Sequence, residues 1–287
     1  MDFSSIVEAA GKSIVRVEGR RTRPSSGVVW APNRIVTVAH AIEHDGELAV
    51  GLEGVEHKAK LRGRDAGTDL ALLEIDTALI PASFDDGEQA KVGHEVAVLA
   101  RPGETVRATA GIVSARGNKP WRSPRGGEID RYLESDAAHQ PGYSGGALVS
   151  AAGKVLGITT TGLIRGTSLT VPVPTVRRVL AQLEAHGQVR KSYIGLSLQP
   201  VRLPDDVQKQ TSEEIGLLVV GVEKGGPGDR AGIAYGDTVL HLGDDTVKTL
   251  EDFYAWLRTD RVGQTFPAKV FRNGKVDTVQ VTLGARP

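Results

Sequence analysis

"QPGYSGGALVS", residues 140–150, sets three glycines around a single serine and then runs into small apolar residues. Such a cluster has two readings: a tight turn that needs a small polar residue, or a backbone shaped to leave one hydroxyl, Ser144, open to reaction. A serine hydroxyl is a poor nucleophile until a base takes its proton, and that base needs a carboxylate to hold its tautomer. The partners must therefore come from elsewhere in the chain. "RIVTVAHAIEH", residues 34–44, places His40 directly after a β-branched run, and "AGTDLALLEID", residues 66–76, places Asp69 directly before one. Each of the three residues alone has an ordinary structural explanation. Together, in the order His40, Asp69, Ser144 and in strand context, they form a candidate catalytic triad. The glycines then have a chemical reason, because a backbone that aims amide hydrogens at an oxyanion cannot carry bulky side chains or ordinary dihedrals.

The surrounding pattern favours β structure. Ten short strand-like segments follow one another between residues 13 and 173, from "SIVRVEG" to "SLTVPV", separated by Gly, Pro and Asp. Their number and spacing imply antiparallel barrels or a sandwich. The series ends at "PTVRRVLAQLEAHG", where Val176, Val179, Leu180 and Leu183 fall at helical spacing between Pro174 and Gly187. The polar residues 187–192 read as a linker, which divides the chain into domains 1–187 and 188–287. The second is small and mixed α and β. It contains the strands "YIGLSLQPV" and "GLLVVGVE", a helix "TLEDFYAWLR" with an approximate capping box from Thr249 to Asp252, and a closing hairpin around Asn273-Gly274. The helix has an apolar stripe of Leu250, Phe253, Tyr254 and Leu257.

Composition narrows the chemistry. The chain of 287 residues is 40% hydrophobic, enough for at least one substantial core. Lys plus Arg equals Asp plus Glu at 35 each, so no global field steers it to nucleic acid or an anionic membrane. The basic stretches "GRRTRP" and "KPWRSPRGG" lack the aromatic interleaving of a base-stacking platform and read as solvated loops. There is no cysteine, which excludes a disulfide scaffold, a thiol nucleophile and thiolate metal ligands. The N-terminus, "MDFSSIVEAAGKSIVRVEG", has neither a basic n-region nor a continuous apolar stretch, so no signal peptide or membrane segment is expected. As written the chain reads as cytoplasmic; a mature chain whose leader had been removed would read the same.

Two further motifs compete with the triad. "HAIEH", His40 to His44, matches the His-x-x-Glu-His arrangement of inverted zinc peptidases, with Glu43 as base. It follows a strand and is cut off by Asp45-Gly46, which leaves about one helical turn, too short to hold two ligands firmly. "GPGDRA", residues 226–231, imitates a dinucleotide loop, but "GIAYGD" behind it breaks at once and presents no full helix to a pyrophosphate. It reads as a turn and a short helix. Neither a metal nor a cofactor is expected.

With these residues assembled, the chain resembles the HtrA/Deg family of serine proteases over nearly its full length. "TVAHAIEH", "TDLALLEID", "ESDAAHQPGYSGGALV", "GTSLTVPVPTVRRVL" and "SYIGLSLQPV" occur in the family's order. The resemblance implies a mainly β fold, a chymotrypsin-like double antiparallel β-barrel followed by a small α+β PDZ domain. It implies an ATP-independent serine endopeptidase acting on unfolded or damaged proteins, with His40 as general base and acid, Asp69 as its orienter and Ser144 as the acyl-forming nucleophile. It places the amides of Gly142, Tyr143 and Ser144 at the oxyanion hole and His139, Thr160 and Thr161 at the primary specificity pocket. In the second domain, Tyr193, Ile194, Gly195 and Leu196 correspond to the loop that captures a peptide's free C-terminus by backbone amides, beside an open strand edge. The family is typically a homotrimer through its protease domains, to which Phe3 of the N-terminal arm would contribute, and is commonly periplasmic or of the cell envelope.

The chain departs from the family's pattern at two positions. Tyr143 stands where asparagine is common, its side chain either turned away or altering the oxyanion loop. His139 stands where an aliphatic residue is usual, either a tolerated rim residue or a change in specificity. By resemblance, "KPWRSPRGG" also lies where the family has a regulatory loop, so ligand or subunit contact would order residues 117–128 and with them the oxyanion loop. The alternative function is a proteolytically silent chaperone or peptide-binding module.

Overall fold

The computed structural model describes residues 3–20, 23–44, 46–164, 167–257 and 261–286. Arg21 and Thr22 of the first basic stretch, Asp45 after the His-x-x-Glu-His motif and Arg258 of the second-domain helix lie outside the described residues. Contacts divide the chain into units 1–189 and 190–287.

The first unit opens on a helix, α1 (Phe3–Gly11), in a stretch for which the sequence reading expected no element. Ile6 is buried, and Phe3, Val7 and Ala10 pack beside it on the core of the same chain, so Phe3 is held by its own unit and not on a free arm. Six strands then close an antiparallel barrel: β1 (Ile14–Glu18), β2 (Ser25–Ala31), β3 (Arg34–Val38), β4 (Leu48–Leu52), β5 (Val55–Asp65) and β6 (Leu70–Ile75), in the order β1-β2-β3-β6-β5-β4. A second barrel follows from β7 (Glu95–Ala100), β8 (Arg107–Arg116), a two-stranded ribbon of β9 (Trp121–Arg122) and β10 (Glu128–Ile129), then β11 (Leu133–Ser135), β12 (Ala147–Ser150), β13 (Val155–Thr160) and β14 (Leu169–Pro172). Leaving out the ribbon, its strands close as β11-β14-β13-β12-β7-β8. The mainly β, double-barrel expectation holds.

The strand "LALLEI" shows why these segments read as continuous apolar runs. Ala71, Leu73 and Ile75 fill the first barrel, whereas Leu70 and Leu72, on the opposite face, join a core shared with Leu99, Ala147, Val149 and Ile158 of the second. A strand buried on both faces has no polar side to alternate with. Each Val or Leu in this seam contributes roughly 1.5–3 kcal/mol relative to an exposed position. The predicted helix is α2 (Val173–His186), with Pro174 in its first turn and Gly187 as a left-handed cap (φ 71°) whose N–H donates to the Leu183 carbonyl. Its apolar stripe, Val176, Val179, Leu180 and Leu183, enters the same shared core.

The residues read as a linker are partly structured: Val189 ends the first unit buried in its core, and in the second unit β15 (Lys191–Tyr193) pairs with β22 (Gly284–Arg286). Between these two strands lie β16 (Leu196–Arg202), α3 (Asp205–Thr211), β17 (Ile215–Val222), α4 (Pro227–Arg230), β18 (Thr238–Leu242), β19 (Asp245–Thr246), α5 (Leu250–Trp256), β20 (Thr265–Arg272) and β21 (Lys275–Thr282). The main sheet runs β16-β17-β18-β20-β21, with β16 at its edge. The Asn273-Gly274 hairpin forms with both residues at positive φ (48° and 78°). Thr249 and Asp252 complete the capping box. The apolar stripe of α5 is corrected: Phe253 and Trp256 are its buried residues, while Tyr254 is 52% exposed. No helix among the described residues is long and apolar enough to cross a membrane.

Candidate active site

His40 lies in a three-residue 3₁₀ turn, Ala39–Ala41, that immediately follows β3. A turn this short ends before Glu43 and His44, so the two histidines of the His-x-x-Glu-His motif do not share a helical face. Ala39 N–H donates to the Asp69 carbonyl at 3.0 Å, which ties the turn to the start of β6. Asp69 itself sits at φ 58°, a left-handed conformation that aspartate tolerates better than most residues. The strained backbone aims a fully buried carboxylate back at His40. Its Oδ1 accepts from His40 N–H at 2.9 Å, and its Oδ2 is 2.6 Å from His40 Nδ1. A carboxylate in this position selects the Nδ1–H tautomer and leaves Nε2 as a proton acceptor facing the cleft.

Thr160 is placed differently from its expected role. It is fully buried at the end of β13 and its hydroxyl donates to Asp69 Oδ2 at 2.5 Å, so it orients the carboxylate and does not line the specificity pocket. Gly162 N–H in turn donates to the Thr160 hydroxyl at 2.9 Å. A Cβ on Gly162 would lie 2.4 Å from Asp69 Oδ2 and 2.5 Å from His40 Nδ1, so only glycine allows the pair to close. Sequence reading missed Gly162 and this role of Thr160; nothing local in "TTTG" signals a contact with Asp69.

Ser144 comes from the second barrel, just before β12. Its carbonyl accepts from Ser26 N–H at 3.1 Å, and the Ser26 hydroxyl donates to the Gly142 carbonyl at 2.8 Å, so β2 of the first barrel staples both sides of the loop. Gly145 has φ 88°, and a Cβ there would sit 2.0 Å from the Ser26 carbonyl oxygen. The oxyanion expectation needs one correction. Tyr143 N–H is already used, donating to the Gln140 carbonyl at 3.0 Å, while the N–H groups of Gly142 and Ser144 have no partner among the described residues. The Tyr143 side chain is 2% exposed and belongs to the interior core of the second barrel, so it points away from the cleft.

The expected triad is therefore brought together in part. His40 and Ser144 line one cleft of about 300 Å³, together with His139, Gln140, Thr161 and the two arginines Arg20 and Arg23. His40 and Asp69 are hydrogen-bonded, but the Ser144 hydroxyl makes its hydrogen bonds to His139 Nε2 (3.2 Å) and Thr161 Oγ1 (3.3 Å). Catalytic hydrogen bonds are often incomplete without substrate. His139 and Thr161, expected at the specificity pocket, both line this cleft. The other ring nitrogen of His139, Nδ1, lies 3.1 Å from the hydroxyl of Ser168, a residue to which the sequence pattern assigned no role.

Burial, and secondarily the nearby His40, push the His139 imidazole down to about 4 from an ordinary 6.5. The unfolded chain takes up this proton below about pH 6.5 and the folded chain only near 4, so stability is complete above that window and is lost as pH falls through it. His139→Ile removes the loss. Wild type is expected to be destabilised relative to the variant by on the order of 2 kcal/mol on passing from the upper to the lower end, read from urea midpoints at each pH.

The basic stretch "KPWRSPRGG" is not a free loop. It carries β9, and its buried Ser123 donates to the Gly67 carbonyl at 2.6 Å, two residues before Asp69. In the second unit, Tyr193, Ile194, Gly195 and Leu196 line a cavity of about 470 Å³ with Phe253, Tyr254, Leu257 and Arg286. Gly195 has φ 77°, and the N–H groups of Ile194 and Gly195 have no partner among the described residues. Arg286 stacks over the Tyr193 ring at 4.3 Å and pairs with Glu223.

Comparison with known proteins agrees with both units. The trypsin-like peptidase domain family matches residues 25–158 and the PDZ domain family residues 192–283. A protein of Rhizobium meliloti named "Probable periplasmic serine endoprotease DegP-like" is 35% identical over 286 residues, which cover 95% of this chain and 56% of that protein. A Halomonas elongata protein of the same name is 33% identical, with 94% and 58% covered. The chain thus spans little more than half the length of these relatives. Among solved structures, the serine endoprotease from Yersinia pestis aligns with TM-score 0.79 at 27% identity, covering 100% of this chain and 99% of that one. The HtrA-type protease AlgW, solved with a decapeptide, aligns with TM-score 0.80 at 25% identity and the same coverage.

Proposed function

As this chain belongs to the HtrA type of serine proteases, with a trypsin-like peptidase domain and a PDZ domain, we propose that it is an ATP-independent serine endopeptidase that cleaves unfolded or damaged proteins. The observation that carries this reading is the buried Asp69 carboxylate, anchored at both oxygens and holding His40 Nδ1 at 2.6 Å in the cleft that contains Ser144. In the reaction, His40 Nε2 takes the Ser144 proton as Oγ bonds to the scissile carbonyl carbon. The carbonyl oxygen gains the negative charge and is met by the N–H groups of Gly142 and Ser144. His40 then gives its proton to the leaving amine, the C–N bond breaks, and a water deprotonated by His40 releases the acyl group and restores Ser144. Substrate backbone lies extended along a strand edge, which a folded chain cannot offer.

A second reading, a proteolytically silent peptide-binding chaperone, is favoured by the absence of a Ser144–His40 hydrogen bond. A serine-directed fluorophosphonate separates the two. A covalent adduct on wild type that is lost in Ser144→Ala, with nucleotide-free hydrolysis of a denatured protein, supports the peptidase. Absence of both supports the binder.

The second unit is proposed to capture peptide C-termini at Tyr193–Leu196, with the peptide adding to the open edge of β16 beside α5. Charge-assisted hydrogen bonds from the Ile194 and Gly195 amides would carry the carboxylate. Amidating the C-terminus of a binding peptide is expected to weaken it about ten- to a hundredfold, measured by calorimetry. Equal affinity of acid and amide would remove this role. The homotrimer implied by family membership is read by sedimentation of the intact chain.

A further inference from the structure

The two positions at which this chain departs from its family's pattern are packed against each other. The His139 ring stands edge-on to the buried Tyr143 ring, with centroids 6.0 Å apart and planes at 63°. Tyr143, sealed in the barrel interior, backs the imidazole from behind. Both ring nitrogens are engaged: Nδ1 with the Ser168 hydroxyl at 3.1 Å, Nε2 with the Ser144 hydroxyl at 3.2 Å. Ser144 continues the chain to the Thr161 hydroxyl at 3.3 Å.

A neutral imidazole has one donor and one acceptor, and a serine hydroxyl has one proton. If Nδ1–H donates to Ser168, Nε2 accepts the Ser144 proton and Thr161 donates to Ser144. If the chain runs the other way, Nε2–H donates to Ser144, which passes its own proton to Thr161. In both directions the proton that His40 must abstract is held by another group. The contact is nevertheless reachable by substrate, because His139 and Thr161 line the same cleft as His40.

We propose that His139 is a positioning residue that holds the Ser144 hydroxyl out of line with His40 in the unliganded protein, and that the substrate side chain before the scissile bond releases it by packing against the His139 ring. The inference rests on the serine peptidase reading. It makes the resting nucleophile slow by the strength of one neutral hydrogen bond, and it makes occupation of the cleft part of the activation.

A small alkyl fluorophosphonate tests it, because such a probe reacts with Ser144 without filling the space beside His139. His139→Ile is expected to be inactivated about fivefold to tenfold faster than wild type. His139→Gln, whose amide offers a donor and an acceptor, stays near the wild-type rate, which a merely structural role would not distinguish. Ser168→Ala frees one end of the ring and falls between them. Should the isoleucine variant fail to fold, nitrogen-15 histidine spectra of the intact protein decide: Ser144→Ala must shift the His139 Nε2 resonance. An isoleucine variant that reacts no faster, or an unmoved Nε2 resonance, overturns the latch alone. No adduct in wild type or any variant sinks the peptidase reading and the latch with it.

Discussion

Ser144→Ala lowers kcat for peptide hydrolysis by roughly 10⁶, to the level left by substrate binding and the amide groups of the loop. The effect is this large because alanine cannot form the acyl bond, and His40 with Asp69 then has no hydroxyl to activate. Little else changes. The hydroxyl's two hydrogen bonds are long, at 3.2 and 3.3 Å, so their loss costs within about 1 kcal/mol of stability. The C-terminal peptide binding proposed for the second unit is expected to be unaffected. A single-turnover assay on the purified variant, with its thermal midpoint measured alongside, checks both halves. Retention of more than a trace of activity would move the nucleophile elsewhere.

Asp69→Asn is the second large effect, about 10⁴ in kcat. The substitution is chosen for its backbone: asparagine accepts φ 58° as aspartate does, so the change is confined to the carboxylate. Asp69 accepts from His40 N–H at Oδ1, and from His40 Nδ1–H and the Thr160 hydroxyl at Oδ2. An amide has one acceptor oxygen for these three donors. If its NH₂ faces the ring, it stabilises the tautomer with the proton on Nε2, which cannot accept from Ser144. If the NH₂ faces the backbone, it meets His40 N–H donor to donor in a fully buried site. The first arrangement removes the base; the second keeps it only against that buried clash and without the full negative charge that stabilises the imidazolium, so the rate falls while the fold persists. Asp69→Ala would add a strained left-handed alanine and unsatisfied donors, so it also costs stability. Steady-state kinetics of both variants, with urea unfolding, separates the chemical effect from the structural one. Wild-type kcat in Asp69→Asn would exclude the carboxylate from the mechanism.

Much of the architecture was legible because it rests on local patterns. β-branched runs bounded by glycine and proline marked the barrel strands, and Pro174 and Gly187 bounded α2 by fixing and freeing backbone dihedrals. Thr249 and Asp252 announced a cap that the fold completes. Helix α1 was missed although Phe3, Ile6, Val7 and Ala10 fall at helical spacing, because nine residues are too short to form a helix by themselves and the core that holds them is assembled from distant strands. The stripe of α5 was misassigned at Tyr254 because periodicity says which residues share a face, not which face meets the sheet. Within the site, His40 and Asp69 could be read from strand ends. Thr160 and Ser168 could not, since neither carries a local signal.

Order and spacing along the chain determined by themselves that there are two domains' worth of elements, that the first is strand-built, and that an imidazole, a carboxylate and a hydroxyl occur in a recognisable sequence. Only the tertiary structure decided that Thr160 serves Asp69, that Tyr143 turns into the barrel and spends its amide on Gln140, and that the Ser144 hydroxyl rests on His139 and Thr161. The reason is physical. Strand and helix propensities arise from each residue's own dihedrals and near neighbours, whereas these partners are set by three-dimensional closure: the seam between the barrels brings Thr160 to Asp69, and the path of the packed loop fixes the contacts of Tyr143 and Ser144.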